Sequence, residues 1–469
     1  MKRFRISIAV TLLVLFASTL LIFPWGCQRA PEQEEPQDFG TFHSVTSPSW
    51  VPGTIVYEVF VRAFSPEGTF QKVTERLPEL KELGVETVWL MPIYPIGTVG
   101  RKGTLGSPYA VRDYRAINPE FGRGTDLRQL VITAHELGMK VILDWVANHS
   151  ANDHIEMGRH PDWFVRDRKG NFTREVDDWW DVTDFDYHNR EMRSYMHNAL
   201  QYWIRDFNID GYRCDVAGMV PGDFWVDVRA QLRKMKPTFF LLAEWEDPKM
   251  HINQFDATYD WSLYHTLKEI RRGEAKAEEA IDLVLKKERE FPKGALRLRF
   301  LENHDEQRAA KVFGVPGFEP YATFVFTLRG LPMLYAGQEV ADTVKPALFD
   351  KVEVHWGDAD YAVRRFYKQL IRLRKDHTVF VHGETMKIPT DRPSEIVAYA
   401  RMTGDRTAVV ALNFSDREMT ATLQFPEELR SGRDGEKFIR GKEKPVQLLS
   451  KPTHQIALKP YESMVFLSE

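Results

Sequence analysis

Three carboxylates follow short apolar runs of the sequence, at points where a strand would end and a loop would begin. Asp215 closes the run GYRCD, Glu244 follows FFLLA, and Asp305 follows LRLRFLENH. Like charges held close together repel one another, so a purely structural cluster of this kind would cost stability. Two carboxylates that face one scissile bond are the minimum for glycoside hydrolysis. These residue types therefore indicate acid–base and nucleophilic chemistry on a sugar.

The neighbours of these carboxylates indicate how the work is divided. Arg213 lies two residues before Asp215, and residues i and i+2 of a strand point to the same face. Its guanidinium would hold Asp215 ionised, as a nucleophile requires. Glu244 precedes Trp245, and an apolar neighbour raises the pKa of a carboxyl group, as a general acid requires. Asp305 would place a third negative charge opposite an oxocarbenium-like transition state.

Hydrophobic periodicity predicts the elements that position these residues. Short β-rich runs alternate with amphipathic helical stretches, and the runs are Ile55–Val61, Thr87–Met91, Lys140–Leu143, Gly211–Cys214, Phe239–Ala243, Phe255–Tyr259, Leu296–Leu301 and Met333–Tyr335. This alternation predicts an α/β fold, a (β/α)8 TIM barrel, with a doubly wound open sheet as the main alternative. The carboxyl ends of barrel strands meet at one face, so the fold would gather the strand-end residues there.

Two regions interrupt the alternation. Residues 148–186 form a polar, aromatic-rich insertion after the third strand, and loops of that length are usually functional. Trp179 and Trp180 could line the substrate site or fix the insertion to the barrel, and the second role is preferred. After residue 378, β-rich runs alternate with Gly, Asp, Ser and Pro turns, which predicts an antiparallel β-sandwich over 379–469. The catalytic barrel would then span 50–378.

The N-terminal sequence is typical of a targeting segment. Residues 1–27 carry a positive start and then an apolar run from Ile6 to Trp25. Cys27 follows Gly26 and resembles the acceptor cysteine of a bacterial lipoprotein signal, with an uncleaved membrane anchor as the alternative. Residues 28–49 begin with a Pro/Glu-rich polar stretch that predicts a linker. We therefore expect an exported protein that is anchored to the cell envelope through its N-terminus.

Composition excludes several other classes of protein. The chain has 469 residues and a formal net charge of -4, so no nucleic-acid partner is expected. It contains 2 cysteines, which excludes a disulfide framework and a Cys-rich zinc site. Nothing in the sequence indicates an oligomeric state.

Four segments, in this order and at these predicted strand ends, resemble the α-amylase family, glycoside hydrolase family 13. They are DWVANH, GYRCDVA, the Glu of LAEWE, and NHD, and the segments TDFD and GLPMLYAGQE are similar to that family as well. No single motif is specific, but the ordered set with the insertion and the terminal β domain is. The resemblance covers about residues 50–469.

This resemblance implies retaining hydrolysis of α-glucosidic bonds in starch, maltodextrin or related oligosaccharides. Carried over by position, Asp215 is the nucleophile, Glu244 is the general acid and then the base, and Asp305 stabilises the transition state. The implied substrate-binding residues are Tyr109, His149, Arg213 and His304, of which Arg213 also orients the nucleophile.

The resemblance also implies a structural Ca²⁺ bound by Asn148 and Asp184. Both side chains carry the hard oxygen atoms that calcium prefers as ligands. Two departures leave the preferred bond and chain length open. Ser107 stands where many α-amylases carry His, and Gly218-Met219 replace a Lys-His pair. The alternatives are an α-glucanotransferase, a cyclodextrin- or pullulan-cleaving enzyme, and a non-catalytic glucan-binding lipoprotein.

Overall fold

The computed structural model describes residues 38–345, 347–358, 361–404, 406–430, 435–438, 449 and 451–468. The predicted anchor, Cys27 and residues 28–37 of the predicted linker lie outside these ranges. Within them, no helix combines the length and apolarity that a membrane span requires. A compact unit begins at Phe39 rather than at the predicted boundary of residue 50. The reason is that Lys293 donates its N–H to Phe42 O at 2.8 Å and accepts from the N–H of Ser44 at 3.0 Å.

The strands are numbered in chain order. They are β1 (Val56–Val59), β2 (Thr87–Leu90), β3 (Lys140–Val146), β4 (His149–Ala151), β5 (Val182–Asp184), β6 (Gly211–Asp215), β7 (Phe240–Ala243), β8 (Ala257–Tyr259), β9 (Leu296–Arg299), β10 (Leu331–Tyr335), β11 (Glu384–Lys387), β12 (Ile396–Thr403), β13 (Arg406–Asn413), β14 (Met419–Gln424), β15 (Gly435–Phe438), β16 (Thr453–Leu458) and β17 (Ser463–Ser468).

The helices are numbered in the same way. They are α1 (Val61–Phe64), α2 (Phe70–Leu83), α3 (Gly124–Glu136), α4 (Arg190–Phe207), α5 (Gly222–Met235), α6 (Trp261–Arg272), α7 (Glu278–Glu290), α8 (Ala309–Val312), α9 (Glu319–Thr327), α10 (Tyr361–Asp376) and α11 (Val379–His382).

A closed parallel barrel forms the body of the described chain, with strand order β1-β10-β9-β8-β7-β6-β3-β2. The barrel closes because β1 pairs with β10 on one side and with β2 on the other. The predicted (β/α)8 fold is therefore confirmed, and the open-sheet alternative is wrong. Large side chains such as Trp89 and Phe240 fill the barrel interior, as the alternation of inward and outward residues along a strand requires.

Helix α2 illustrates how the sequence sets the outer layer. Thr69 caps its start, because the Thr69 side chain accepts a hydrogen bond from the N–H of Lys72. The helix ends at Gly84, whose φ of 109° is readily adopted only by glycine. Between these ends, apolar residues at helical spacing, including Val73, Leu77 and Leu80, are buried. This face packs the helix onto the barrel.

The two interruptions of the barrel pattern are ordered structures. In the insertion, β4 pairs antiparallel with β5, and His149 lies opposite Asp184. In the C-terminal region, the sheet β11-β12-β13-β17-β15 and the pair β14-β16 bury a common apolar core that includes Val409 and Leu423. The predicted antiparallel β domain is therefore confirmed.

Candidate active site

The carboxyl ends of the barrel strands bring most of the predicted site residues into one cleft of about 170 Å³. Six of them line it, namely Tyr109, His149, Asp215, Glu244, His304 and Asp305. Asp215 is the last residue of β6, Glu244 follows β7, and Asp305 lies in the loop after β9. Asp215 and Glu244 end neighbouring strands, and Asp305 follows a strand two places further along the barrel wall, so the parallel, curved wall brings all three to one face.

Arg213 lies beneath this cleft and connects its carboxylates. The side chain is fully buried. Its Nη1 is 2.9 Å from Asp144 Oδ1 and 3.0 Å from Asp215 Oδ1, and its Nη2 is 2.5 Å from Glu244 Oε1. A guanidinium enclosed in this way orients the carboxylates but cannot reach a bound sugar. The structure therefore assigns Arg213 a positioning role, in place of the predicted contact with substrate.

Burial separates the carboxyl groups of Asp215 and Glu244 from ordinary acids. Burial raises the pKa of Asp215 to about 6, although Arg213 acts in the opposite direction. Arg213 favours the ionised form of Asp215, as the sequence predicts, but desolvation of the carboxylate is the larger effect. Burial raises the pKa of Glu244 to about 7, and the charges of Asp215 and Asp305 add to the rise. Between pH 6 and pH 7, Asp215 is thus about half ionised or more, while Glu244 is about half protonated or more.

A strained residue holds Glu244 in place. The N–H of Val216 donates to Glu244 Oε2 at 2.8 Å. Val216 has a φ of 35°, which a β-branched residue adopts only at a cost in free energy. This unfavourable backbone geometry directly after Asp215 aims a donor at the second carboxylate.

The ring of Trp245 fills the space beside Gly218. A Cβ atom added to Gly218 would lie 2.1 Å from Cε2 of Trp245. The indole and a side chain at position 218 therefore exclude one another. With Trp245 in this position, residue 218 has room only for glycine.

His304 is held as a cation by two carboxylates. Its Nδ1 pairs with Glu58, and its Nε2 lies 3.3 Å from Asp305 Oδ2 and 2.8 Å from the Tyr109 hydroxyl. Burial lowers the pKa of His304, but Asp305 and Glu58 outweigh it and bring the value to about 9. Sequence reasoning missed Glu58, although a single acid in the apolar run IVYEVFV was the signal available.

His149 is a neutral counterpart on the insertion side of the cleft. Burial lowers the pKa of His149 to about 3, so the ring is uncharged at physiological pH. The ring lies 5.1 Å from that of Trp179, and both residues line the cleft. Trp179 therefore lines the cleft, a role that the sequence left as the less favoured alternative to fixing the insertion to the barrel.

The two predicted calcium ligands lie side by side. Asn148 Nδ2 is 3.3 Å from Asp184 Oδ1. Burial raises the pKa of Asp184 to about 6. In the part of the chain that the structure describes, no group of three or more His, Cys, Asp or Glu side chains could hold a metal ion. The pair thus supplies two oxygen-bearing side chains, and a hard cation there would need backbone oxygens as well.

Sequence reasoning also missed part of the rim of the cleft. Lys102 and Asp181 line it and form a buried ion pair at 3.5 Å. The ammonium of Lys102 lies 4.5 Å from the ring centre of Trp180. Leu348 and Phe349 also line the cleft, and the Lys102 ammonium lies 5.5 Å from the ring centre of Phe349. These residues come from distant loops without a shared motif, so only the tertiary structure reveals them.

Comparisons with known proteins agree with this geometry. A family model for the alpha amylase catalytic domain matches residues 40–355. The chain is 30% identical over 413 residues to alpha-amylase MalA of Haloarcula japonica, covering 84% of this chain and 59% of that protein. It is 26% identical over 479 residues to neopullulanase 2 of Thermoactinomyces vulgaris, covering 90% and 78%. The chain therefore spans about three fifths of the length of the haloarchaeal relative.

Solved structures show the same likeness. The maltogenic alpha-amylase AmyB from Thermotoga neapolitana superposes with a TM-score of 0.83 at 35% identity, covering 89% of this chain and 98% of that chain. An alpha-amylase from Lactobacillus plantarum superposes with a TM-score of 0.78 at 31% identity, covering 89% and 99%.

Proposed function

Because the chain belongs to the α-amylase family of glycoside hydrolases, we propose that it hydrolyses α-glucosidic bonds in starch, maltodextrin or related oligosaccharides with retention at the anomeric carbon. The observation that carries this proposal is the pair Asp215 and Glu244, both bound to Arg213 in one cleft. The pKa of Asp215 lies near 6 and that of Glu244 near 7. One carboxylate is thus available to attack while the other still carries a proton.

The proposed reaction has two steps. Asp215 attacks the anomeric carbon with the oxygen that Arg213 does not hold, and the bond to the leaving oxygen breaks as Glu244 protonates that oxygen. The resulting β-glucosyl ester is then cleaved by water, from which the Glu244 carboxylate removes a proton. Asp305 contributes negative charge opposite the oxocarbenium-like transition state. Product leaves with its original α configuration, and both carboxyl groups return to their starting states.

The polar groups around the cleft would bind the reacting sugar. Tyr109 offers a ring face and a hydroxyl, while His304 offers a positively charged N–H. His149 offers a neutral imidazole. An aromatic face combined with hydrogen-bond donors suits a sugar ring, which has both apolar and hydroxyl-bearing surfaces.

The direct test incubates the full-length protein with amylose and follows reducing ends, product lengths and the anomeric configuration of new ends by NMR. Asp215→Asn should reduce the rate by at least about a thousandfold. The matched control, Asp206→Asn, changes a half-buried aspartate at the end of α4 that pairs with its neighbour Arg205 and should retain wild-type activity. Glucan binding without any cleavage or redistribution would instead support a glucan-binding lipoprotein.

A second candidate is transfer of the glucosyl group to a sugar instead of water. Some relatives are named for other α-glucans, as cyclomaltodextrinase and neopullulanase are. The Trp245 ring beside Gly218 adds an apolar surface next to Glu244. Incubation with concentrated maltotriose distinguishes the reactions, since transfer yields products longer than the substrate. Parallel assays with cyclodextrin and pullulan define the substrate range.

Calcium at Asn148 and Asp184 is part of the same proposal. Asn148 donates from Nδ2 to Asp184 in this structure, and a rotation of its amide group would place an oxygen beside the buried carboxylate, which suits a hard cation. The raised pKa of Asp184 indicates that its negative charge is poorly compensated. After chelation, isothermal titration with CaCl₂ should show binding. Thermal unfolding should show a higher Tm with CaCl₂ than without it. Asp184→Asn should abolish both responses, whereas Asp186→Asn, which removes a contact to His188, should retain them.

Anchoring to the cell envelope through the N-terminus is proposed from residues 1–27 alone. If Cys27 is a lipid acceptor, metabolic labelling with a fatty acid should mark the protein, and Cys27→Ser should abolish the label. An uncleaved anchor would leave Cys27→Ser in the membrane fraction with an unchanged mass. Release of the wild type into the medium would contradict both forms of the proposal.

A further inference from the structure

A second cleft, the basal cleft, lies at the opposite end of the barrel from the catalytic residues and has a volume of about 540 Å³. Its walls come from the end of α7, the start of β9, the loop before β10 and the start of β11. Its cationic lining consists of Lys287, Arg289, Lys293, Arg297, Arg299 and Arg329, and its acidic lining consists of Glu288 and Glu384. The basal cleft therefore carries an excess of positive charge in a protein whose net charge is -4.

Strand β9 supplies two of these arginines from its outer face. Leu296 and Leu298 point into the barrel, so Arg297 and Arg299 point outward, where a barrel strand usually presents apolar side chains to its helices. Both arginines are buried. Two adjacent outward positions on one strand are thus used for cations at a considerable cost in desolvation.

Arg297 is fixed in position but is not fully satisfied. Its Nη2 lies 2.8 Å from Glu246 Oε1 and 3.2 Å from Asp260 Oδ1, and its Nε donates to Tyr259 O. The guanidinium also packs over the ring of Phe291 at 4.0 Å. Its Nη1 is buried and has no hydrogen-bond partner among the described residues. A rigid donor without an acceptor is what an absent anion would leave behind.

Arg329 is the second incompletely paired cation. Within the described part of the chain, its guanidinium has no hydrogen bond or ion pair. Glu288, which already accepts from Thr385, is the acid that acts on it at longer range. Burial lowers the pKa of Arg329, and the neighbouring charge of Arg299 lowers it further. The side chain therefore bears an unfavourable charge that a bound anion would compensate.

Two further arginines lie behind the cleft. Arg374 donates to backbone carbonyls, including Phe326 O and Gly330 O, and Arg401 bonds to the Thr385 hydroxyl. Neither forms an ion pair with a carboxylate in the described ranges. Burial lowers the pKa of Arg374 to about 9 and that of Arg401 to about 10, and nearby arginines contribute in both cases. The like charges accumulate on one side of the molecule.

We propose that the basal cleft binds an oxyanion of the phosphate class, with Arg297 and Arg329 as its principal ligands. A planar guanidinium donates two parallel hydrogen bonds to such an anion, and burial strengthens these bonds. The anion would complete Arg297, pair Arg329 and reduce repulsion among the cations. This site is separate from the proposed glucan hydrolysis, because it lies away from the reacting carboxylates.

The same chemistry is available from a free phosphate compound or from a phospholipid headgroup. The N-terminal part of the compact unit passes beside the basal cleft, since Lys293 bonds to Phe42 and Ser44. A protein anchored through its N-terminus would meet headgroup phosphates, and basic surfaces attract anionic lipids. The two sources require different arms of one experiment.

The experiment uses the full-length protein in nanodiscs of neutral phosphatidylcholine and measures Tm from tryptophan fluorescence. Inorganic phosphate is compared with chloride at equal ionic strength. We expect a saturable rise in Tm of about 2 to 5 °C with phosphate alone. Equal effects of the two salts would overturn the proposal, because they would reflect only general screening.

Variants test the ligands directly. Arg329→Gln should lose the phosphate response and, without phosphate, should have a Tm equal to or above that of the wild type, because an unpaired charge is removed. Arg297→Gln should weaken the response at least tenfold in apparent affinity. Arg168→Gln, an exposed arginine of the insertion, is the control and should respond as the wild type does. A normal phosphate response in Arg329→Gln, or a lower Tm without phosphate, would refute the charge argument.

Nanodiscs of anionic phosphatidylglycerol separate the two sources. If a headgroup occupies the basal cleft, the wild type should already have the higher Tm in these discs, and phosphate should add nothing. If the ligand is a free phosphate compound, the response should be the same in both kinds of disc. No rise in either disc would overturn the proposal.

Discussion

The division of roles between Asp215 and Glu244 predicts a narrow bell-shaped pH profile for kcat/KM. Activity should rise as pH passes through about 6, because Asp215 must lose its proton to attack. Activity should fall as pH passes through about 7, because Glu244 must keep its proton to assist the leaving group. The maximum should therefore lie between pH 6 and 7.

The size of the effect follows from burial of Glu244. At pH 7 a carboxyl group with a pKa of about 7 is about half protonated, whereas one at the ordinary value of 4.5 would be only about 0.3% protonated. The cleft thus increases the population of the working acid by about two orders of magnitude. Glu244→Gln should reduce kcat/KM for maltotriose by about a thousandfold, within the range that a general acid contributes.

A substrate that needs no acid separates the two limbs of the profile. α-Maltosyl fluoride has a leaving group that departs without protonation, so Glu244→Gln should form the glycosyl enzyme at a rate within about tenfold of the wild type. With this substrate the fall near pH 7 should disappear from the wild-type profile, and the rise near pH 6 should persist. His304, with a pKa of about 9, is then the next group of the cleft to lose a proton. A fall near pH 7 that persists with the fluoride would refute the assignment of the acid.

Three further substitutions test the surroundings of the cleft. Glu58→Gln should lower the pKa of His304, measured by NMR. At acidic pH it should remove part of the about 3 kcal/mol that the full rise of this pKa represents, since the charge of Asp305 makes the largest single contribution to that rise. Because the folded-state pKa of His304 is raised, this loss should be complete below about pH 6.5 and vanish as pH rises through about 9. Val216→Gly should increase the free energy of unfolding by about 1 kcal/mol in urea titrations, since it relieves a φ of 35°, whereas Val216→Ala retains a Cβ and should bring no such gain. Gly218→Ala should displace the Trp245 ring, 2.1 Å from the new Cβ, and lower kcat/KM by at least about tenfold; wild-type kinetics would show that the ring does not support the acid.

The order of elements could be predicted from the sequence because its periodicity is local. The apolar spacing between Thr69 and Gly84 predicts helix α2, and each barrel strand is a short apolar run. Strand ends can be found in the same way, which is why Asp215, Glu244 and Asp305 could be named before their geometry was known. In a (β/α)8 barrel the carboxyl ends of all strands lie at one face, so a residue that follows a strand is expected at that face once the fold is known.

The electrostatics of the site could not be predicted in this way, because they depend on burial and on contacts across the barrel. Arg213 lies two residues before Asp215 in sequence, yet burial of the Asp215 carboxylate affects its pKa more strongly than the charge of Arg213 does. Glu58 and His304 pair across 246 residues of sequence. No local pattern encodes such a pair, since it exists only when β1 closes against β10.

The sequence by itself thus determined the barrel, the C-terminal β domain and which carboxylates follow the barrel strands, because hydrophobic periodicity and residue type can be read locally along the chain. Only the tertiary structure decided which groups are charged, which face the substrate and where charge is left uncompensated. The fit of Trp245 beside Gly218 and the unpartnered Nη1 of Arg297 belong to this second class. Both depend on short-range packing between distant segments, and that packing is fixed only when the whole chain has folded.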